Sequence, residues 1–116
     1  MDTGLELLTA EAHRLSGLLD RGVQALREAG VAYAEAELAY RRARAEVYLA
    51  TEGTVAEREA QAYGVVGDLR RARDVADAAR VAALEAVRSR RTQLSALQSL
   101  LAAHRSEADF ARVGPR

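Results

Sequence analysis

Apolar side chains at Leu5, Leu8, Ala12, Leu15, Leu19, Val23 and Leu26 recur at intervals of three and four residues. That period puts them on one face of a helix. Thr3 and Glu6 have capping-box spacing in front of the run, and Gly30 stands where a C-terminal stop belongs. The pattern predicts a helix over 3–29, weakened by about 1 kcal/mol at each of Gly17 and Gly22. A second helix is expected over 31–52, where Tyr33, Ala36, Tyr40, Ala43, Val47 and Ala50 keep heptad spacing and Tyr48 lies beside that seam. Gly53 ends it, and Thr54 with Glu57 forms a second capping box that restarts a helix at once.

The third segment, 55–111, holds no proline, and Gly64 and Gly67 are its one weak point, a candidate bend over 64–67. Beyond them Leu69, Ala72, Ala76, Ala79, Ala83, Val87, Leu94, Leu97, Leu101, His104 and Ala108 form a stripe. Unbroken, about 56 residues at 1.5 Å each would reach roughly 80 Å. Such a rod must pack on the other helices, on other chains, or on both. The fold expected is therefore all-α: an elongated helical hairpin or coiled coil of two shorter helices and one long C-terminal helix. It forms a single domain over 1–112, with 113–116, "VGPR", as a flexible tail. Its packing or oligomer seam is assigned to Tyr33, Tyr40, Val47, Leu69, Ala76, Ala83, Val87, Leu94, Leu97 and Leu101.

Composition sharpens this picture. The chain has 116 residues and is 49% hydrophobic, but much of that is alanine, and aromatics are only 4%. Alanine buries little area, so a single copy has a small core and self-association is the natural route to more burial. There is no cysteine, hence no disulfide and no thiolate chemistry, and no apolar run approaches the roughly 20 residues of a membrane span. The N-terminus lacks the charged-then-apolar pattern of a secretion signal. A cytoplasmic setting is expected. All 17 basic residues are arginine, and lysine, asparagine and isoleucine are absent, the coding bias of a GC-rich bacterium or its phage. Net charge is zero but unevenly spread: residues 1–39 carry seven acids against three arginines, leaving the remainder with an excess of four positive charges.

Catalytic chemistry finds little support. His13 and His104 lie on different segments, no cluster offers three metal ligands, and "GVVG" lacks the context of a phosphate loop. A non-enzymatic protein without metal or cofactor is expected. The arginines say more. "YRRAR" holds Arg41, Arg42 and Arg44, and "RRAR" holds Arg70, Arg71 and Arg73, the latter with Asp74 and Asp77 close enough for ordinary helix ion pairs. Along and just beyond "RSRRTQLSALQSLLAAHR", Thr92, Ser95, Ser99 and Ser106 fall within about 40° of Arg88 on a helix, with Arg91 and Gln98 on one flank. No carboxylate occurs from Ala86 to Ser106. Arginine, hydroxyl and amide groups together commonly hold phosphate oxygens, although the same face also suits a plain solvated surface. Arg90 falls inside the apolar stripe and needs either a carboxylate opposite it or an opening to solvent. Tyr33 and Tyr40 fit the seam, while Tyr48 and Tyr63 are freer to stack on bases.

The stretches "AELAYRRARAEVYLATEGTVAEREAQA" and "RSRRTQLSALQSLLAAHRSE" resemble the phage recombination mediator family UvsY over roughly residues 33–108. The resemblance implies an all-helical, ring-forming protein that binds single-stranded DNA and helps a recombinase replace the single-strand-binding protein. It places Arg41, Arg42, Arg44, Arg88 and Arg91 on the DNA. With Tyr48, Thr92, Ser95 and Ser99 added from the pattern, these are the candidate nucleic-acid contacts. The expected partners are further copies of the chain, single-stranded DNA, and a recombinase or single-strand-binding protein. The competing expectation is a coiled-coil scaffold or adaptor acting through protein contacts, including a phage inhibitor of a host protein.

Overall fold

A computed structural model describes residues 3–113, which form three helices and no strand. Helix α1 spans Thr3–Ala50, α2 spans Val55–Val65, and α3 spans Gly67–Val113. Of the expected tail 113–116, Val113 is the last residue of α3, and 114–116 lie outside the described part.

The expected stop at Gly30 does not occur, and one helix covers what the sequence divides into 3–29 and 31–52. Glycine ends a helix by taking a left-handed conformation, and the only positive-φ residue in the described chain is Gly53, at φ 122°. At Gly30 the penalty of about 1 kcal/mol is outweighed by packing, because Leu26 and Tyr33 on either side are both half-buried. Two long helices thus enclose one short one, in place of two shorter helices and a single long one. The true break comes at 51–54. There Thr51 donates through Oγ1 to the Val47 carbonyl at 2.7 Å, and Thr54 caps α2 by accepting the Glu57 amide at 3.2 Å. A side chain at Gly53 would both require an unfavourable φ and run into Glu57. The second interruption is a single residue, Val66, inside the 64–67 stretch; its amide still bonds the Ala62 carbonyl at 3.1 Å.

The chain divides into two compact units, Met1–Gln24 with Glu85–Arg116, and Ala25–Leu84. In the first, the N-terminal part of α1 packs on the C-terminal part of α3. Leu15, Val87 and Leu101 are its buried residues, flanked by half-buried Leu5, Leu8, Ala12, Leu19, Leu94 and Leu97. A methyl built on Gly22 would sit 3.4 Å from a Val87 methyl, so the two backbones approach closely there. Thr9 and Ser16 share a groove with Leu94 and Arg105, while Gly22 meets Val87, which makes the pair antiparallel.

The second unit holds the rest of α1, all of α2 and the start of α3. Its buried side chains are Ala62 and Val66. Its seam departs in part from the expected stripe: Ala76 and Ala83 are half-buried as expected, but Leu69, Ala72 and Ala79 are exposed, and Arg70, Arg73, Asp77 and Arg80 are half-buried in their stead. Ala50 and Ala108, at the ends of their stripes, are exposed too. The apolar count misses the shift because arginine stems supply the buried hydrocarbon.

Two opposite substitutions test these helix limits. Gly30→Ala, with nothing within 4 Å of the added methyl, is expected to stabilise by about 0.5–1 kcal/mol in urea unfolding. Gly53→Ala is expected to destabilise by about 1 kcal/mol or more. Stabilisation by Gly53→Ala would contradict the left-handed turn.

Candidate nucleic-acid interface

The second unit holds the tyrosines. Each has an arginine over its ring: Arg80 on Tyr33 at 5.2 Å, Arg73 on Tyr40 at 4.4 Å, Arg58 on Tyr48 at 5.1 Å and Arg70 on Tyr63 at 3.6 Å. Glu37 joins this arrangement as a half-buried carboxylate. It accepts from the Tyr33 hydroxyl at 3.3 Å and from Arg41 Nε at 2.8 Å, and its second oxygen lies 3.8 Å from Arg73 Nε. The hydrogen bond from Arg73 to Asp74 raises the arginine's pKa above its ordinary value, with Glu37 and Tyr40 adding to the effect. Arg80 pairs with Asp77 at 2.7 Å. The guanidinium of Arg70 donates to the Tyr63 carbonyl at 3.0 Å, and that of Arg58 to the Thr51 carbonyl at 2.6 Å.

These contacts assign most of the second unit's arginines to the fold. Arg73, Arg80, Arg70 and Arg58 are structural, and their rings are covered on one face. Of the candidate contacts, Arg41 is tied to Glu37. Arg42 and Arg44 make no ion pair among the described residues. Arg41, Arg44 and Tyr48 come together with Ala45 and Leu49 of α1 and Glu59 of α2 around a cleft of about 330 Å³. Arg42 does not line it. Glu59 on the rim weakens the cleft as an anion site, and Arg58 occupies one face of Tyr48. Tyr63 is exposed, with Arg70 on its ring.

The first unit carries the other candidate set. Arg88, Arg91, Thr92, Ser95 and Ser99 all stand on the exposed side of α3, away from Val87, Leu94 and Leu101. Thr92 Oγ1 donates to the Arg88 carbonyl at 3.1 Å, leaving its oxygen lone pairs outward. Among the described residues Arg88, Arg90 and Arg91 enter no ion pair. Arg90 is half-buried without a carboxylate partner, so it marks an opening of the seam to solvent.

The structure adds residues that the linear pattern leaves out. Arg91, Gln98 and Arg105 follow one another at seven-residue spacing along the edge of the face. Gln98 and Arg105 also line a groove of about 340 Å³ whose far wall is Thr9, His13 and Ser16 of α1. No carboxylate lines this groove. The acid-free surface thus continues from α3 onto α1. The spacing of Arg105 from Arg91 was visible in the sequence; the approach of His13 and Ser16 needed the antiparallel pairing.

No described helix is long and apolar enough to cross a membrane, and among the described residues no cluster of three or more acidic, histidine or cysteine side chains is placed to hold a metal. Comparison with protein-family models, with curated proteins and with solved structures returns no match.

The stacked pairs are open to a direct measurement. In a double-mutant cycle on Tyr40→Leu and Arg73→Ala, a coupling of about 0.5–1 kcal/mol is expected from the ring contact. A coupling indistinguishable from zero would mean that Arg73 acts only through Asp74 and Glu37.

Proposed function

We propose that the chain is a non-enzymatic, oligomeric single-stranded DNA-binding accessory of phage-type homologous recombination, a mediator that assists a recombinase. The observation that carries this reading is the acid-free surface of the first unit. Among the described residues Arg88, Arg91 and Arg105 enter no ion pair, and Ser95, Ser99, Gln98 and Ser16 stand between and beside them. Guanidinium groups bind phosphate through several donors at once, and hydroxyl and amide groups complete the set that backbone contacts use. No aromatic ring lies among these residues, which favours contact with the sugar-phosphate backbone over base stacking. The affinity of one such patch is modest, because eight arginines meet seven acids in this unit's sequence. Several copies on one strand would raise it by acting together.

Binding to labelled single-stranded oligonucleotide, followed by anisotropy across a salt series, tests the reading. Arg88→Glu with Arg91→Glu is expected to weaken binding at low salt at least tenfold and to lower the salt slope by about 1.4, the value for two single-strand phosphates. Arg105→Glu should weaken it further. Binding that is absent at low salt, or unmoved by all three changes, would overturn the proposal.

A scaffold or adaptor role, including inhibition of a host protein, is the second reading. It is favoured by the large exposed apolar side chains, among them Leu7, Leu38, Leu49, Val75 and Phe110.

A further inference from the structure

Helix α1 has a second apolar ridge, on the side turned away from Tyr33, Glu37 and Tyr40. Val31, Leu38 and Ala45 follow at seven-residue spacing, with Ala34 and Leu49 beside them. At 100° per residue, Val31 and Leu38 lie roughly 160° from Tyr33 and Tyr40. The ridge faces largely outward: Val31 is 59% exposed, Leu38 48% and Leu49 75%. Two long branched side chains and a valine at coiled-coil spacing form a seam with no occupant.

We propose that this ridge docks on the same ridge of a second copy of the chain, as an antiparallel pair of α1 helices about a two-fold axis at Leu38. The proposal deepens the oligomeric part of the reading above; it concerns a different surface from the acid-free face, so failure of DNA binding leaves it standing. Two observations select a second copy as the occupant. The first is spacing. Val31, Leu38 and Ala45 repeat every seven residues, the period at which one helix seats on another.

The second is charge. With the heptad positions set by Val31, Leu38 and Ala45, Glu35 and Arg42 occupy equivalent flanking positions on one edge of the ridge. In an antiparallel pair such positions face each other. A two-fold axis at Leu38 therefore sets Glu35 of each copy beside Arg42 of the other, one ion pair on each side. Neither residue has an ion pair within its own chain among the described residues. The same axis opposes Leu38 to Leu38 and Val31 to Ala45, a large side chain against a small one. An isologous contact of this kind closes on itself.

Sedimentation equilibrium over a concentration series gives the test. The full chain is expected as a particle of twice 12.5 kDa or an even multiple. Leu38→Asp is expected to raise the dissociation constant at least tenfold while leaving helical circular dichroism intact, since Leu38 lies on the exposed side of α1. Glu35→Arg and Arg42→Glu are each expected to weaken the pair, and the double exchange to restore it at least tenfold over either single change. A monomer at every concentration overturns the proposal, as does a particle whose mass Leu38→Asp leaves unchanged. Loss on Leu38→Asp without rescue by the double exchange overturns the two-fold register.

Discussion

The register of α1 against α3 in the second unit rests on a pairing of flat side chains. Tyr33 and Tyr40 are seven residues apart on one helix, and Arg80 and Arg73 are seven apart on the other, read in the opposite direction. Each guanidinium lies over a ring, where its charge meets the negative face of the π-system and its stem covers hydrocarbon. Glu37 stands between the two tyrosines and contacts Tyr33, Arg41 and Arg73 together. A one-residue slip would separate all of these at once, whereas an alanine seam would tolerate it. Register specificity here comes from the polar ends of half-buried side chains more than from apolar volume.

This arrangement explains how so little apolar surface suffices. Among the described residues of the second unit only Ala62 and Val66 are buried. The first unit uses ordinary apolar contacts, with Leu15, Val87 and Leu101 at its centre. The division has a consequence for function. In the second unit the arginines at 58, 70, 73 and 80 are held by rings, carbonyls or carboxylates, so their charge is committed. The arginines of the first unit at 88, 91 and 105 have no such task in the seam and are open to an external anion.

The class of fold was legible in the sequence because helical periodicity is strong and proline is absent before Pro115. Thr54 and Glu57 located the α2 start correctly, since capping needs only local geometry. Gly30 misled because a glycine signals a stop only where the chain also turns, and flanking packing decides that. Leu69, Ala72 and Ala79 misled for a different reason. Apolar counting scores arginine as outward-facing, so it chose the residues one place before Arg70, Arg73 and Arg80. The heptad offset of Arg73 and Arg80, mirrored by Tyr33 and Tyr40, was the missed signal. Of the candidate interface, the α3 face was readable from spacing alone; its continuation to His13 and Ser16 depends on which helix lies opposite, which no periodicity reports.

A long helix has more than one face to satisfy. On α1 the inward face of the second unit is satisfied by rings and guanidinium groups, while the outward face keeps Val31 and Leu38 at the same heptad spacing. If these residues served only solubility, exposed positions would favour charge, as Glu35, Arg42 and Glu46 do nearby. Their retention in register with one another, beside oppositely charged neighbours that could pair across a two-fold axis, is the pattern of a seam that lacks its other half. The α3 face of the first unit has the reverse character, with hydroxyl and guanidinium groups in place of branched side chains. An apolar ridge suits a permanent contact that excludes water, and the polar face suits a salt-dependent one that can release. One chain can hold both without conflict because the two faces belong to different units.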